Sequence, residues 1–316
     1  MSKKIKVLYI AGLGRSGSTI LDKILGEIDG FFSVGEMNYI WDRGLIENRV
    51  CACGVPFREC KMWKEVLCEA FGALDRIDAQ KMQAFREKIR TRHTLLGLLP
   101  RGKRFLSARL GKYPNEFQRL YQAVQSITGS KIIIDSSKFP SHAYLLKMLS
   151  VIDLYVIHLI RDPRAITYSW QRKKFDPGTG IFMPTLSPLK SSLSWLAWNV
   201  IIELLWNNSD QSAKYMQVHY QDFVTQPKVI IENIVRFVGE SPSDLPFISK
   251  NHVDLAHAHA FSGNPTRFHQ GKIQILPDTE WHSQLKLRYK ILTTLITWPL
   301  LMRYRYALAP RHPALE

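Results

Sequence analysis

The chain has no long hydrophobic run. Nowhere do eighteen residues in succession stay apolar, so no segment reads as a membrane-spanning helix. The amino-terminal Met1-Ser2-Lys3-Lys4 precedes a short apolar stretch broken by Gly12 and Arg15, which reads as a strand feeding a loop and not as a secretory signal. Cysteine is scarce, with four in 316 residues, and this fits a reducing compartment; the expected location is cytoplasmic. Cys51, Cys53, Cys60 and Cys68 lack the paired C-x-x-C spacing of a zinc site and have no histidine near them in sequence. The expectation is a structural thiol cluster or an occasional disulfide, with no metal. Linkers rich in Pro, Gly or Ser, low-complexity tracts and internal repeats are also missing. With 46% hydrophobic content, residues 1–316 are expected to form one domain, in which 38–130 is a Cys-containing, basic helical insertion.

Acid is in short supply. Against 43 Lys and Arg stand 27 Asp and Glu, a formal net charge of +16. Between positions 86 and 112, Arg86, Lys88, Arg90, Arg92, Arg101, Lys103, Arg104, Arg109 and Lys112 face one acid, Glu87. Such a field steers polyanionic ligands and permits peripheral contact with an anionic surface. A solvated helical face accounts for it equally well. No recognised nucleic-acid module accompanies the patch, so no specific nucleic acid is expected as a partner.

The sequence is richest in information at Gly12-Leu13-Gly14-Arg15-Ser16-Gly17-Ser18-Thr19, after the apolar run Val7 to Ala11. This is the frame of a phosphate-cradling loop, but Ser18 occupies the Walker lysine's place, which argues against ATP or GTP chemistry. Backbone amides of such a turn entering a helix still form an anion site, and Arg15 supplies the charge. The letters also spell Gly12-x-Gly14-x-x-Gly17, a dinucleotide fingerprint, with Glu36 near the distance of a ribose-binding acid. An NAD(P)-dependent oxidoreductase is therefore an alternative, and a basic binding protein without catalysis is a second.

A further segment bears on the choice. Leu154 to Ile160 reads as a buried parallel strand, followed by Arg161-Asp162-Pro163-Arg164 and, on the next helix, Ser169. Asp162 can cap that helix with Pro163 at its first position. Arg161 then stands at the carboxyl end of a strand, where open α/β sheets bind ligands, and a guanidinium fork there suits a terminal phosphate.

Arg15 to Thr19 and Arg161 to Ser169, in this order, resemble the two nucleotide motifs of the sulfotransferases that use 3'-phosphoadenosine 5'-phosphosulfate (PAPS), the bacterial type related to carbohydrate and tyrosyl-protein sulfotransferases. The resemblance implies that Gly14, Arg15, Ser16, Gly17, Ser18 and Thr19 hold the 5'-phosphosulfate. It gives the 3'-phosphate to Arg161 and Ser169. It implies a general base at Glu36, after the strand Phe31 to Val34, and a supporting cation at Lys138 in Lys138-Phe139-Pro140. His142 is the alternative base. His219-Tyr220-Gln221-Asp222-Phe223 and Gly263-Asn264-Pro265 with Arg267 resemble later family segments, and Arg267 joins the donor-binding set. The implied reaction moves a sulfuryl group in line to a hydroxyl or amine of a small molecule or glycan, releases adenosine 3',5'-bisphosphate and requires no metal.

The expected fold is α/β, a central parallel sheet flanked by helices in the P-loop-like sulfotransferase arrangement, with helical insertions. Strands are expected near 5–11, 31–34, 131–134, 154–160 and 214–219. Helices are expected near 17–28, 78–92, 115–128, 140–149, 163–172, 190–208, 227–238 and 281–296. The apolar segment Ile291 to Met302, bracketed by Lys286, Arg288, Lys290, Arg303 and Arg305, is expected as a core-facing helix. Trp195, Trp198 and Trp206 are candidates for stacking on an acceptor or for the core. The acceptor and the oligomeric state stay open.

Overall fold

The computed structural model describes residues 4–206, 214–256 and 258–308. Five parallel strands, β1 (Ile5–Ala11), β2 (Phe31–Gly35), β3 (Ile132–Lys138), β4 (Ile152–Ile160) and β7 (Lys214–His219), form one sheet in the order β2-β3-β1-β4-β7. Two short antiparallel pairs complete the strands, β5 (Phe175–Asp176) with β6 (Ile181–Phe182), and β8 (His252–Leu255) with β9 (Gly271–Gln274). The helices are α1 (Ser18–Gly26), α2 (Lys61–Phe71), α3 (Ala79–Lys88), α4 (Pro100–Leu110), α5 (Tyr113–Thr128), α6 (Pro140–Lys147), α7 (Pro163–Gln171), α8 (Pro188–Trp206), α9 (Tyr220–Thr225), α10 (Pro227–Phe237), α11 (Trp281–Gln284) and α12 (Leu287–Arg303).

The sheet is apolar on both faces, because side chains alternate across a strand and helices cover each side. Val7 and Tyr9 of β1 join Ile133, Val156 and an aromatic core from residues 38–130, including Trp41, Phe57, Trp63 and Phe117. Leu8 and Ile10 point the other way, into a cluster with Leu21, Ile24, Ile157, Ile231 and Val235 from β4, α1 and α10. From β1 the chain winds first toward β3 and β2, then returns to β4 on the opposite side. The crevice between β1 and β4 is thus a topological switch point, where ligands bind beyond the carboxyl ends of the strands.

Three expectations need correction. β3 runs on to Lys138, four residues past its expected end, and so carries Asp135 to Lys138 toward the switch point. The expected helix 281–296 is two helices, broken where Leu285 and Lys286 turn extended. α12 is core-facing along only part of its apolar length. It buries Thr293, Thr297, Leu300 and Leu301, with Ser192 of α8 donating to Thr293 at 3.0 Å and Leu300 joining Ile166 and Trp195 in a core cluster, but turns Leu287, Ile291, Leu295, Trp298 and Met302 outward. Among the described residues no helix is long and apolar enough to cross a membrane. Helices α2 and α4, within residues 38–130, were not expected, although Trp63, Val66 and Leu67 at helical spacing bury one face of α2.

Candidate active site

The loop after β1 is shaped by backbone that only small residues permit. A side chain on Gly12, at φ 148°, would place its first carbon 2.6 Å from the Leu159 carbonyl oxygen; on Gly17, at φ 96°, 2.7 Å from the Tyr220 ring. Both positions require glycine, and this lets the loop press against β4 and α9 before α1 begins. Arg15 itself adopts φ 76°, a costly conformation for a residue with a side chain. Its guanidinium lies 5.0 Å from the Trp170 ring centroid, and its Nε, Nη1 and Nη2 are all buried without a hydrogen-bond partner among the described residues. Burial, followed by neighbouring Arg172, lowers its pKa, while Glu36 opposes the shift. An unpaired buried cation is costly, and a bound anion relieves the cost.

Arg161 ends the turn after β4. Its Nη1 donates to the Arg15 carbonyl at 2.9 Å and its Nη2 pairs with Asp278 at 2.6 Å, while its plane covers Tyr220 at 4.3 Å. Asp162 caps α7 by accepting from the Arg164 amide at 2.8 Å, and Pro163 begins the helix. Two turns along, buried Ser169 and then Trp170 reach the same cavity as the loop; Trp170 Nε1 donates to the Gly14 carbonyl at 3.2 Å.

Glu36 follows β2 and is 5% exposed. Lys138 donates to its Oε1 in a very short contact, Arg43 Nη1 to its Oε2 at 3.0 Å, and the Ser262 hydroxyl to Oε2 at 3.0 Å. Burial pushes this carboxyl up, but Lys138 and Arg43 outweigh it and hold the group below the ordinary carboxylate range. Lys138, at φ 73°, also donates to the Ser136 carbonyl at 2.9 Å.

These groups line one cavity of about 440 Å³. Of the sequence-predicted residues it gathers Gly14, Arg15, Gly17, Ser18, Thr19, Glu36, Lys138, Arg161 and Ser169. Ser16 of the same loop is fully buried and does not line the cavity. Five cations line it (Arg15, Arg43, Lys138, Arg161 and Lys174) against two acids, Glu36 and Asp278, so the cavity favours a polyanion. Its lining also includes apolar and aromatic residues, among them Met183, Leu186 and the run of ring contacts Tyr39–Phe139–Trp198. Trp195 and Trp206 are core residues.

Two predicted residues stand elsewhere. Arg267 does not line the cavity; its Nη2 pairs with Asp176 at 3.1 Å and its Nη1 donates to the Gly263 carbonyl at 3.0 Å. It braces the strap 260–267, from which Gly263, Asn264 and Thr266 reach the cavity. His142 is buried on α6, 3.0 Å from Asp135 and edge-on to Phe117, and is not a lining residue. Sequence reasoning missed Arg43, Lys174 and Asp278, which carry no motif. It also missed His259, whose Nδ1 lies 3.3 Å from Cys60 Sγ; a histidine therefore does stand beside the cysteines, 199 residues away in the chain.

Residues 8–244 match the sequence model of the family described as the Sulfotransferase family. The sulfotransferase domain of the Synechococcus PCC 7002 olefin synthase superimposes with a TM-score of 0.55 at 18% identity, covering 98% of each chain. The sulfotransferase domain from the curacin biosynthetic pathway does so at 0.53 and 16% identity, over 98% of this chain and 100% of the other. At these identities the likeness is one of fold, the P-loop-like sulfotransferase fold. No functionally curated protein matches the chain. The family match spans the phosphate loop, Glu36, Lys138 and the Arg161–Ser169 segment, and it displaces the oxidoreductase and non-catalytic alternatives: the chain belongs to the sulfotransferase family.

Proposed function

We propose that the cavity takes PAPS as sulfuryl donor and an acceptor whose hydroxyl is carried on an apolar body. The observation that carries the donor assignment is the buried, unpartnered Arg15 guanidinium in a cavity with five cations. The loop amides and Arg15 would hold the phosphosulfate, and Arg161 with Ser169 the 3'-phosphate. The apolar and aromatic lining of Tyr39, Phe139, Met183, Leu186 and Trp198 supports the acceptor assignment.

In this reading the acceptor oxygen attacks sulfur, the bond from sulfur to the oxygen of the 5'-phosphate breaks, and the acceptor proton passes to Glu36. Negative charge grows on the departing phosphate, where Arg15 and Lys138 can meet it. Lys138 has a double task, since its ammonium is held on Glu36. When it turns toward the transferring group, the carboxylate loses one of the charges that depress its basicity and becomes a better base. Magnesium has no role in these steps.

Isothermal calorimetry in magnesium-free buffer tests the donor site. Adenosine 3',5'-bisphosphate should bind, with NAD and ATP far weaker, and the Arg15→Ala protein should lose most of that affinity. Preference for NAD, or strict dependence on magnesium, overturns the assignment.

A further inference from the structure

We propose that Cys51, Cys53, Cys60 and His259 bind one structural zinc ion. The three sulfurs and an imidazole nitrogen all lie within 4.8 Å of one another. Cys53 and Cys60 Sγ are 3.7 Å apart, and Cys60 Sγ is 3.3 Å from His259 Nδ1. With zinc–sulfur and zinc–nitrogen bonds of about 2.3 and 2.0 Å, a tetrahedral site has S···S edges of about 3.8 Å and S···N edges of about 3.5 Å. The Cys53–Cys60 and Cys60–His259 separations match those edges to about 0.2 Å, and the remaining donor pairs, all within 4.8 Å, need to close by no more than about 1 Å around an ion. Three soft thiolates and one imidazole select zinc over magnesium or calcium. Four protein donors fill a tetrahedron and leave no position for a reacting molecule, which makes the role structural. On binding, each thiol yields its proton to solvent, and the zinc site carries one net negative charge.

The surrounding backbone is already arranged to present these donors. Cys51 and Cys53 flank a tight turn in which the Gly54 amide donates to the Cys51 carbonyl at 2.9 Å, and Cys60 immediately precedes α2. The His259 carbonyl accepts from Trp63 Nε1 at 2.7 Å, and the Ala52 amide donates to the Ala260 carbonyl at 3.0 Å. None of the four donors lines the catalytic cavity. The ion instead ties residues 38–130 to the strap that follows His259, where Phe261 pairs with Gly35 and Ser262 bonds Glu36. Closing a loop of some two hundred residues removes much freedom from the unfolded chain, so one ion there stabilises the strap and residues 38–130 together.

Metal analysis of the full-length protein, purified and dialysed under reducing conditions, should find one zinc per chain. Cys53→Ser and His259→Ala should reduce it to a small fraction, and Cys68→Ser, whose thiol is exposed on α2, should keep it. Should the variants fail to fold, cobalt(II) added to metal-stripped wild type decides. A tetrahedral thiolate site gives intense visible bands and a near-ultraviolet thiolate-to-cobalt transition. Reduced wild type that carries no zinc and yields no such cobalt spectrum overturns the proposal, as does a Cys53–Cys60 disulfide in the freshly isolated protein. Neither readout uses turnover or donor binding, so the outcome is independent of the sulfuryl-transfer reading.

Discussion

Glu36 holds its charge between Lys138 and Arg43, and that pairing dictates how the site responds to pH. In the proposed mechanism Glu36 acts when deprotonated, so a carboxyl held below its ordinary value of 4.5 should put the acidic limb of the rate profile below that pH. Lys138→Met removes one of the lowering charges, and the limb should move to higher pH. Glu36→Gln keeps shape but accepts no proton: turnover should fall about 10²- to 10⁴-fold with donor affinity nearly unchanged. His142→Asn is the control, expected to lower stability through its buried contact with Asp135 while the folded fraction keeps its turnover. The reverse pattern in steady-state kinetics transfers the base to His142. At the other end of the cavity, Arg161→Ala should weaken adenosine 3',5'-bisphosphate about 10- to 150-fold, and Ser169→Ala about 2- to 10-fold, since charge-assisted hydrogen bonds exceed neutral ones. A ligand lacking the 3'-phosphate should erase the difference in calorimetry.

At the scale of elements, the β1–loop–α1 unit sets the geometry. Gly12→Ala forces a carbon against a β4 carbonyl that cannot withdraw without breaking the sheet, so donor binding and thermal stability should fall together. The same unit carries a pH response of its own. Asp22 of α1 is buried beneath β2, and burial pushes its carboxyl from an ordinary 3.8 up to about 7, although Ser33 and Ser136 hydrogen bonds oppose the rise. A raised carboxyl keeps in the folded state a proton that the unfolded chain has released. Stability from this group is therefore present below its unfolded value and is lost as pH rises toward about 7. Thermal melts across that window should show a decline in wild type that is much reduced in Asp22→Asn; an unchanged slope contradicts the assignment.

At the scale of the molecule, the outward apolar row on α12 combines with a net charge of +16. Lys286, Arg288, Lys290 and Arg303 flank a stripe of Leu287, Ile291, Leu295, Trp298 and Met302, a composition complementary to an anionic bilayer surface. α8, packed on α12, exposes Leu189 and Leu193, and its Ser194 and Trp198 line the cavity. Phosphatidylserine-containing vesicles should retain the protein in flotation assays at low ionic strength. Phosphatidylcholine vesicles should retain less, and salt should release it as the screening length falls to about 10 Å near 0.1 M. Equal behaviour of the Leu295→Asp/Trp298→Asp protein excludes this face as the contact.

The central strands, the glycine-shaped loop and the helix opened by Asp162 and Pro163 were legible in the sequence, because each depends on a short window: alternation, a positive φ or a cap. The segments 12–19 and 161–169 were legible for the same reason, and their order along the chain implied the fold. Contacts between distant side chains were not legible. Glu36 meets Lys138 across 102 residues and Ser262 across 226, Arg161 meets Asp278, and Arg267 meets Asp176 across 91. No periodicity encodes such pairings; they follow from how residues 38–130 and the strap pack around the sheet. His259 reaches the cysteines in the same way, and α12 meets α8 through Thr293 and Leu300 while Leu287, Ile291, Leu295, Trp298 and Met302 stay outward. Local physics wrote the scaffold and its glycine-shaped loop into the sequence, and packing decided which charges face each other there.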